Sequence, residues 1–356
     1  MSDVPALLRL RGRVARALGR LPERVQRALA FGRPIRVDDQ TLDPTLQLFL
    51  RLRPAKDCPL THGPVADARA RHRHEVLSVR RAPTPVGDVR DLVVDGATGP
   101  LRARHYAPPD AAGASTLLVW YHGGGFALGD LDTLDEPCRL LCAHARQHVL
   151  SVDYRLAPEH PFPAAPDDAL AAFRWAQRHA REFGVAPERV AVGGDSAGGN
   201  LATVVARDAA HDRPPLAQLL VYPTVDRTRV HRSTTLFDGF FLSREDCDAF
   251  ARWYYEDAGI SAAEPRVSPL VAPSHAGLAP ALVVTAGFDV LRDEAEEYAR
   301  LLFDAGTPVH WYREPSLVHG FLQVTDASRA CREASLRLVQ QWADCVQRAS
   351  SQRASS

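Results

Sequence analysis

The chain has 356 residues, which suits one large domain with insertions or two smaller domains. Lys plus Arg and Asp plus Glu both number 43, so the net charge is zero and nothing in it favours nucleic acid or an acidic partner. Hydrophobic residues make up 46%, enough for a sizeable core, yet no apolar run reaches the length of a membrane span.

Apolar residues at 3 to 4 spacing predict helices over residues 7–29 and 42–52, interrupted by Pro34, Pro44 and Pro54. The 7–29 stretch is basic and amphipathic. It could touch a membrane surface, but a helix lying on its own domain is the preferred reading. The Arg-rich N-terminal stretch has no uninterrupted apolar core ahead of a small-residue cleavage site, which argues against a secretory signal. Two strands, over 75–81 and 89–94, follow as a candidate antiparallel pair.

From there strands and helices alternate. Strands are expected over 116–121, 148–153, 189–192, 218–222, 281–286 and 309–313. Helices are expected over 137–147, 164–182, 197–210, 293–304 and 329–347. This rhythm predicts an α/β fold with a mostly parallel central sheet and helices on both faces. Residues 224–267 break it and hold an aromatic-rich helix over 244–257, with Phe250, Trp253, Tyr254 and Tyr255. That insertion and the N-terminal segment 1–75 are the expected helical cap over a catalytic domain at 76–348. A disordered polar tail is expected at 349–356.

The cysteines, Cys58, Cys138, Cys142, Cys247, Cys331 and Cys345, are scattered, which fits a reducing cytoplasm. Cys138, Cys142, His144 and His148 tempt a metal reading. On one helix the cysteine and histidine pairs fall about 200° apart and cannot converge, so no metal is expected. His72 and His74 flank Arg73 and read as surface residues.

Chemistry concentrates in four places. Gly194-Asp195-Ser196-Ala197-Gly198 lies between a strand and an Ala/Gly-rich helix. A sharp strand-to-helix turn there would expose Ser196 as a nucleophile, and glycines at 194 and 198 let strand and helix approach. His122-Gly123-Gly124-Gly125 follows a buried strand. The amides of Gly124 and Gly125, with that of Ala197, are candidate oxyanion donors, preorganised for a tetrahedral intermediate. A phosphate-binding loop fits less well, because no Lys-Ser/Thr follows and no Gly-x-Gly-x-x-Gly is completed. His319, after the strand at 309–313, is the candidate general base, since a histidine of ordinary pKa, ~6.5, can take and return a proton at neutral pH. Asp289 is the candidate acid that orients it. Asp293 competes, but is better placed to cap the next helix.

Serine, aspartate and histidine in this chain order resemble the α/β-hydrolase layout. More narrowly, the chain resembles the hormone-sensitive lipase family of esterases, bacterial family IV. The resemblance rests on His122-Gly123-Gly124-Gly125-Phe126, on the block from Asp153 through Pro158, Glu159, His160 and Pro161 to Ala164, on Gly194–Asn200, and on His319-Gly320-Phe321. It covers residues 121–321.

The resemblance implies a carboxylic ester hydrolase without metal or cofactor, acting on small-molecule esters of short to medium acyl chain. Its triad would be Ser196, Asp289 and His319, and its oxyanion hole Gly123, Gly124, Gly125 and Ala197. His122 and Asp195 would be structural supports, His122 by ordering the glycine loop, and the proline-rich block a fixed scaffold loop. One departure is Asp289-Val290-Leu291, where the family often has Asp-Pro-Leu. Many such proteins dimerise through the sheet edge, so a homodimer is an assembly the resemblance allows. Two other readings use the same scaffold. A hormone-receptor role, as in plant gibberellin receptors, is opposed by the presence of His319. An amidase would use the same residues.

Overall fold

The computed structural model describes residues 4–30, 32–52, 59–111 and 115–355. Cys58 therefore lies outside the described residues. The basic N-terminal stretch forms two helices, α1 (Ala6–Leu18) and α2 (Glu23–Leu29), separated at Gly19 and Pro22. A small hairpin not foreseen from the sequence follows, β1 (Arg36–Val37) and β2 (Gln40–Thr41). It turns through Asp38 and Asp39, both at positive φ, as a tight hairpin turn requires. Helix α3 (Pro44–Leu52) comes next.

Helix α4 (Val65–Ser78) replaces the strand expected over 75–81. Its buried residues, Ala68, His72 and Val76, recur every four positions and make one helical face. The apolar residues Val76, Leu77 and Val79 close a helix rather than open a strand. The antiparallel partner of β3 (Asp88–Asp95) is instead β4 (Pro100–Ala107), in which Leu101 and Ala103 are buried while Arg102 points out. The start of β4 carries the alternating pattern of a half-buried strand.

The alternating segment is β5 (Leu117–Tyr121), α5 (Asp135–Ala145), β6 (His148–Val152), α6 (Ala164–His179), β7 (Val190–Asp195), α7 (Ala197–Asp208) and β8 (Gln218–Val221). Two short helices then interrupt it, α8 (Arg232–Leu236) and α9 (Arg244–Ala251). The first turn of α9 is closed by a capping box between Ser243 and Asp246. The chain resumes with β9 (Ala281–Phe288), α10 (Arg292–Asp304), β10 (Val309–Val318) and α11 (Arg329–Ser355). Helix α11 runs through the segment expected to be a disordered tail. Arg353, near its end, donates to the carbonyls of Glu188, Pro214 and Pro215 and fastens the last turn to the domain.

The sheet has eight strands in the order β10-β9-β8-β7-β5-β6-β4-β3. Strands β5 to β10 run parallel, and β4 and β3 close one edge antiparallel. Both faces are covered, so the central strands β5 to β9 are buried throughout and mostly apolar. On β5, Leu117, Val119 and Tyr121 enter the core beneath α6, α7 and α10. Leu118 and Trp120 enter the one beneath α5 and α11. The consequence for function is positional. The loops carrying His122, Ser196, Asp289 and His319 all leave the C-terminal ends of parallel strands, where open α/β sheets bind ligands.

Candidate active site

Ser196 links β7 to α7 with φ 57° and ψ −119°, a conformation that a non-glycine residue adopts only under constraint. The constraint is the closeness of strand and helix. A Cβ at Gly198 would lie 1.9 Å from the Tyr121 carbonyl oxygen, and one at Gly194 2.3 Å from the Gly198 carbonyl. The Ser196 amide donates to Val221 O at 2.9 Å, holding the turn against the neighbouring strand.

The Ser196 hydroxyl lies 3.0 Å from His319 Nε2, and His319 Nδ1 lies 2.8 Å from Asp289 Oδ2. A carboxylate can only accept, so Nδ1 carries the proton and donates to Asp289. In the neutral ring this leaves Nε2 free to accept from the serine hydroxyl. Asp289 is fully buried, and its other oxygen accepts from the Leu291 amide at 2.9 Å. Valine at 290 in place of proline leaves this anchor in place. The competing acid, Asp293, sits in the first turn of α10, accepts from the Ser233 amide and pairs with Arg292.

The glycine loop divides its amides between two jobs. Gly123 N–H donates to Asp195 Oδ1 at 2.9 Å, so Gly123 has no amide to offer an oxyanion, and that assignment is corrected. Gly124 (φ 122°) and Gly125 (φ 60°) adopt left-handed backbone, and their amides make no hydrogen bond among the described residues. Ala197 opens α7, where the first amides of a helix have no intrahelical acceptor.

Two buried side chains brace this loop. His122 Nδ1 donates to Gly123 O at 2.9 Å, its ring stacks on Tyr154, and its carbonyl accepts from the Tyr154 hydroxyl at 2.7 Å. Burial pushes the Asp195 carboxyl up to about 6, against the opposing pull of the Gly123 amide.

The proline-rich block ties the loop to its surroundings. Ala157 N–H donates to Phe126 O, and Phe162 N–H to Tyr254 O. Arg69 on α4 reaches Ala127 O and Ala157 O and holds Glu159 through both oxygens. Asn200, one turn into α7, donates to Thr224 O and Val267 O. It thereby clamps both ends of the 224–267 insertion to the helix that follows the serine.

Ser196 and His319 open into a cavity of about 100 Å³ walled mainly by Leu60, Leu242, Phe250, Tyr254, Val267 and Leu291. Its polar lining includes three further residues whose state the structure defines. His72, read from the sequence as exposed, is buried on α4, and burial pulls its pKa down to about 4, so it is neutral. Arg227 pairs with both oxygens of the buried Glu294, which also accepts from the Val225 and Asp226 amides. Cys247 lies beside Arg227, and burial pushes its thiol up to about 12, so it is no nucleophile. Helical spacing on α4 signalled His72 and the position shortly after Asp289 signalled Glu294, whereas Arg227 had no local signal.

The Cys138, Cys142, His144 and His148 group does not converge. Both cysteines are buried on α5, while His148 on β6 meets His105 at 3.0 Å. Burial holds His105 down to about 3.

Residues 118–323 match the family described as alpha/beta hydrolase fold. The chain is 49% identical over 314 residues to carboxylic ester hydrolase LipN of Mycobacterium tuberculosis, covering 85% of this chain and 83% of that one. The chain belongs to the hormone-sensitive lipase-like, family IV esterases of the α/β hydrolases. Among solved structures, it superposes on an ester-hydrolase from the metagenome of Lake Arreo with TM-score 0.79, 37% identity, and coverage of 84% of this chain and 96% of that one. For the Pyrobaculum calidifontis esterase the TM-score is 0.78 and the identity 36%, covering 85% and 98%. This family IV esterase is therefore a carboxylic ester hydrolase with a mostly parallel sheet flanked by helices. Among its described residues no helix is long and apolar enough to cross a membrane.

Proposed function

We propose that the enzyme hydrolyses short- to medium-chain acyl esters through a covalent intermediate on Ser196, with His319 and Asp289 completing a triad. The observation that carries this reading is the unbroken chain from the serine hydroxyl through both imidazole nitrogens to a buried carboxylate, at 3.0 and 2.8 Å.

Ser196 Oγ attacks the ester carbonyl while His319 Nε2 takes its proton. Asp289 stabilises the imidazolium so formed. The carbonyl oxygen becomes an anion and is met by the amides of Gly124, Gly125 and Ala197, in a site where low dielectric strengthens each hydrogen bond. His319 returns the proton to the alcohol oxygen as the C–O bond breaks. Water, deprotonated by the same histidine, then cleaves the acyl-enzyme.

Helix α4, which carries His72, and the 224–267 insertion, which carries Phe250 and Tyr254, wall the cavity. This supports assigning the N-terminal segment and the insertion to a cap that sets acyl length.

The test is initial rates on p-nitrophenyl esters of increasing acyl length, with Ser196→Ala as paired control. Wild-type turnover absent from the variant, with an optimum at short to medium chains, is expected. Equal turnover by both proteins would remove Ser196 as nucleophile, and an optimum at long chains would refute the pocket assignment.

A further inference from the structure

Helix α1 presents its apolar side to solvent. Leu7, Leu10 and Val14 are 62%, 57% and 50% exposed. Spaced i, i+3 and i+7, at 100° per residue they fall within an arc of about 60°. Gly12, the one buried residue of the helix, points about 170° away from the centre of that arc. It packs on the end of α4, where a Cβ at position 12 would lie 1.9 Å from Ser78 O, and Arg16 donates to the same carbonyl at 2.9 Å. The helix therefore rests on the domain through Gly12 and Arg16, with Leu8, Ala15 and Leu18 partly buried, and turns Leu7, Leu10 and Val14 outward.

The charge around the stripe has one sign. The helix holds Arg9, Arg11, Arg13 and Arg16 and no acidic residue. Arg11 and Arg13 are exposed on opposite flanks of the stripe, and neither forms an ion pair among the described residues. Aliphatic side chains along one line with guanidinium groups on both sides match a surface that is apolar in depth and anionic at its rim.

We propose that α1 docks the enzyme in the plane of an anionic lipid surface. Leu7, Leu10 and Val14 enter the acyl boundary, and Arg11 and Arg13 meet the phosphate headgroups. Arginine stems reach upward from such a depth without burying their charge. Attachment of this kind is peripheral and reversible, needing no spanning segment.

The experiment is co-sedimentation of the full-length protein with vesicles of phosphatidylcholine alone and of phosphatidylcholine mixed with phosphatidylglycerol, at low and high salt. Binding is expected to the mixed vesicles only, and salt should weaken it as headgroup charge is screened. Arg11→Gln and Arg13→Gln should each lower the partition constant by about fivefold. A Leu7→Ser, Leu10→Ser, Val14→Ser variant should lower it by about 100-fold or more, because each apolar side chain then stays in water. These side chains are exposed, so thermal unfolding should be unchanged, which separates lost binding from lost fold. Equal binding to both vesicle types, no binding, or an unaffected triple variant would each overturn the proposal. So would concentration-dependent self-association abolished by the triple variant, which would assign the stripe to a second copy of the chain.

Discussion

The carboxylate next to Ser196 should cost the enzyme stability. Asp195 is only 2% exposed, and burial raises its pKa from the ordinary 3.8 to about 6. A shift of roughly two units corresponds to about 3 kcal/mol of disfavour for the charged form, an upper value that relaxation will reduce. The native pKa is the higher one, so as pH falls the folded state takes the proton before the unfolded state does. Stability from this group is lowest above about pH 6 and is regained as pH falls from about 6 towards 3.8. Asp195→Asn keeps the shape and keeps an oxygen for the Gly123 amide, while removing the charge.

The variant should therefore be more stable than wild type at pH 8, by about 1–3 kcal/mol. The difference should shrink to about a third of that near pH 4.5, as urea unfolding at both pH values would report. Its kcat should fall nonetheless, because a carboxylate near His319 favours the imidazolium of the proposed mechanism. A stability difference that is the same at both pH values would refute the reasoning, since a buried charge cannot act without titrating.

Other substitutions probe other parts of the site. Ser196→Ala should lower kcat by ~10⁴–10⁶ with an unchanged circular dichroism spectrum, and a variant retaining a tenth of wild-type activity would remove the assignment. Glu294→Ala leaves Arg227 buried without its counter-charge and two amides without their acceptor. It should cost about 3–5 kcal/mol in urea unfolding, and a loss below about 1 kcal/mol would mean the pair is not buried as described. Gly125→Ala places a Cβ 2.2 Å from the Phe250 ring in a left-handed backbone and should lower kcat by ~10²–10³ by displacing an oxyanion donor. Adding Phe250→Ala should restore part of that rate; no restoration would mean that backbone strain, and not the ring, does the damage.

The residues legible in the sequence share one property: their positions are set by the few residues on either side. Ser196 is fixed by a strand end, two glycines and a helix start. Asp289 and His319 also sit just past strand ends, so chain order alone put all of them at one edge of the sheet. What escaped depends on distant partners. Whether Gly123 can offer its amide is decided by Asp195, far along the chain, and nothing near Gly123 announces that bond. His72 looked exposed between Arg71 and Arg73, yet one face of α4 packs inward, and helical spacing from Ala68 to Val76 held that information. Arg227 had no local signal, because an arginine becomes a cavity wall only when a carboxylate such as Glu294 is buried beside it. The polar tail was misjudged for the same reason. Its composition favours disorder, but Arg353 finds three carbonyls on neighbouring loops. Helix α1 is the sharpest case. Its amphipathic pattern was plain, but the pattern cannot say which side faces inward. In this fold the close approach of Gly12 to Ser78, with Arg16 on the same carbonyl, turns the arginine-flanked aliphatic stripe towards solvent.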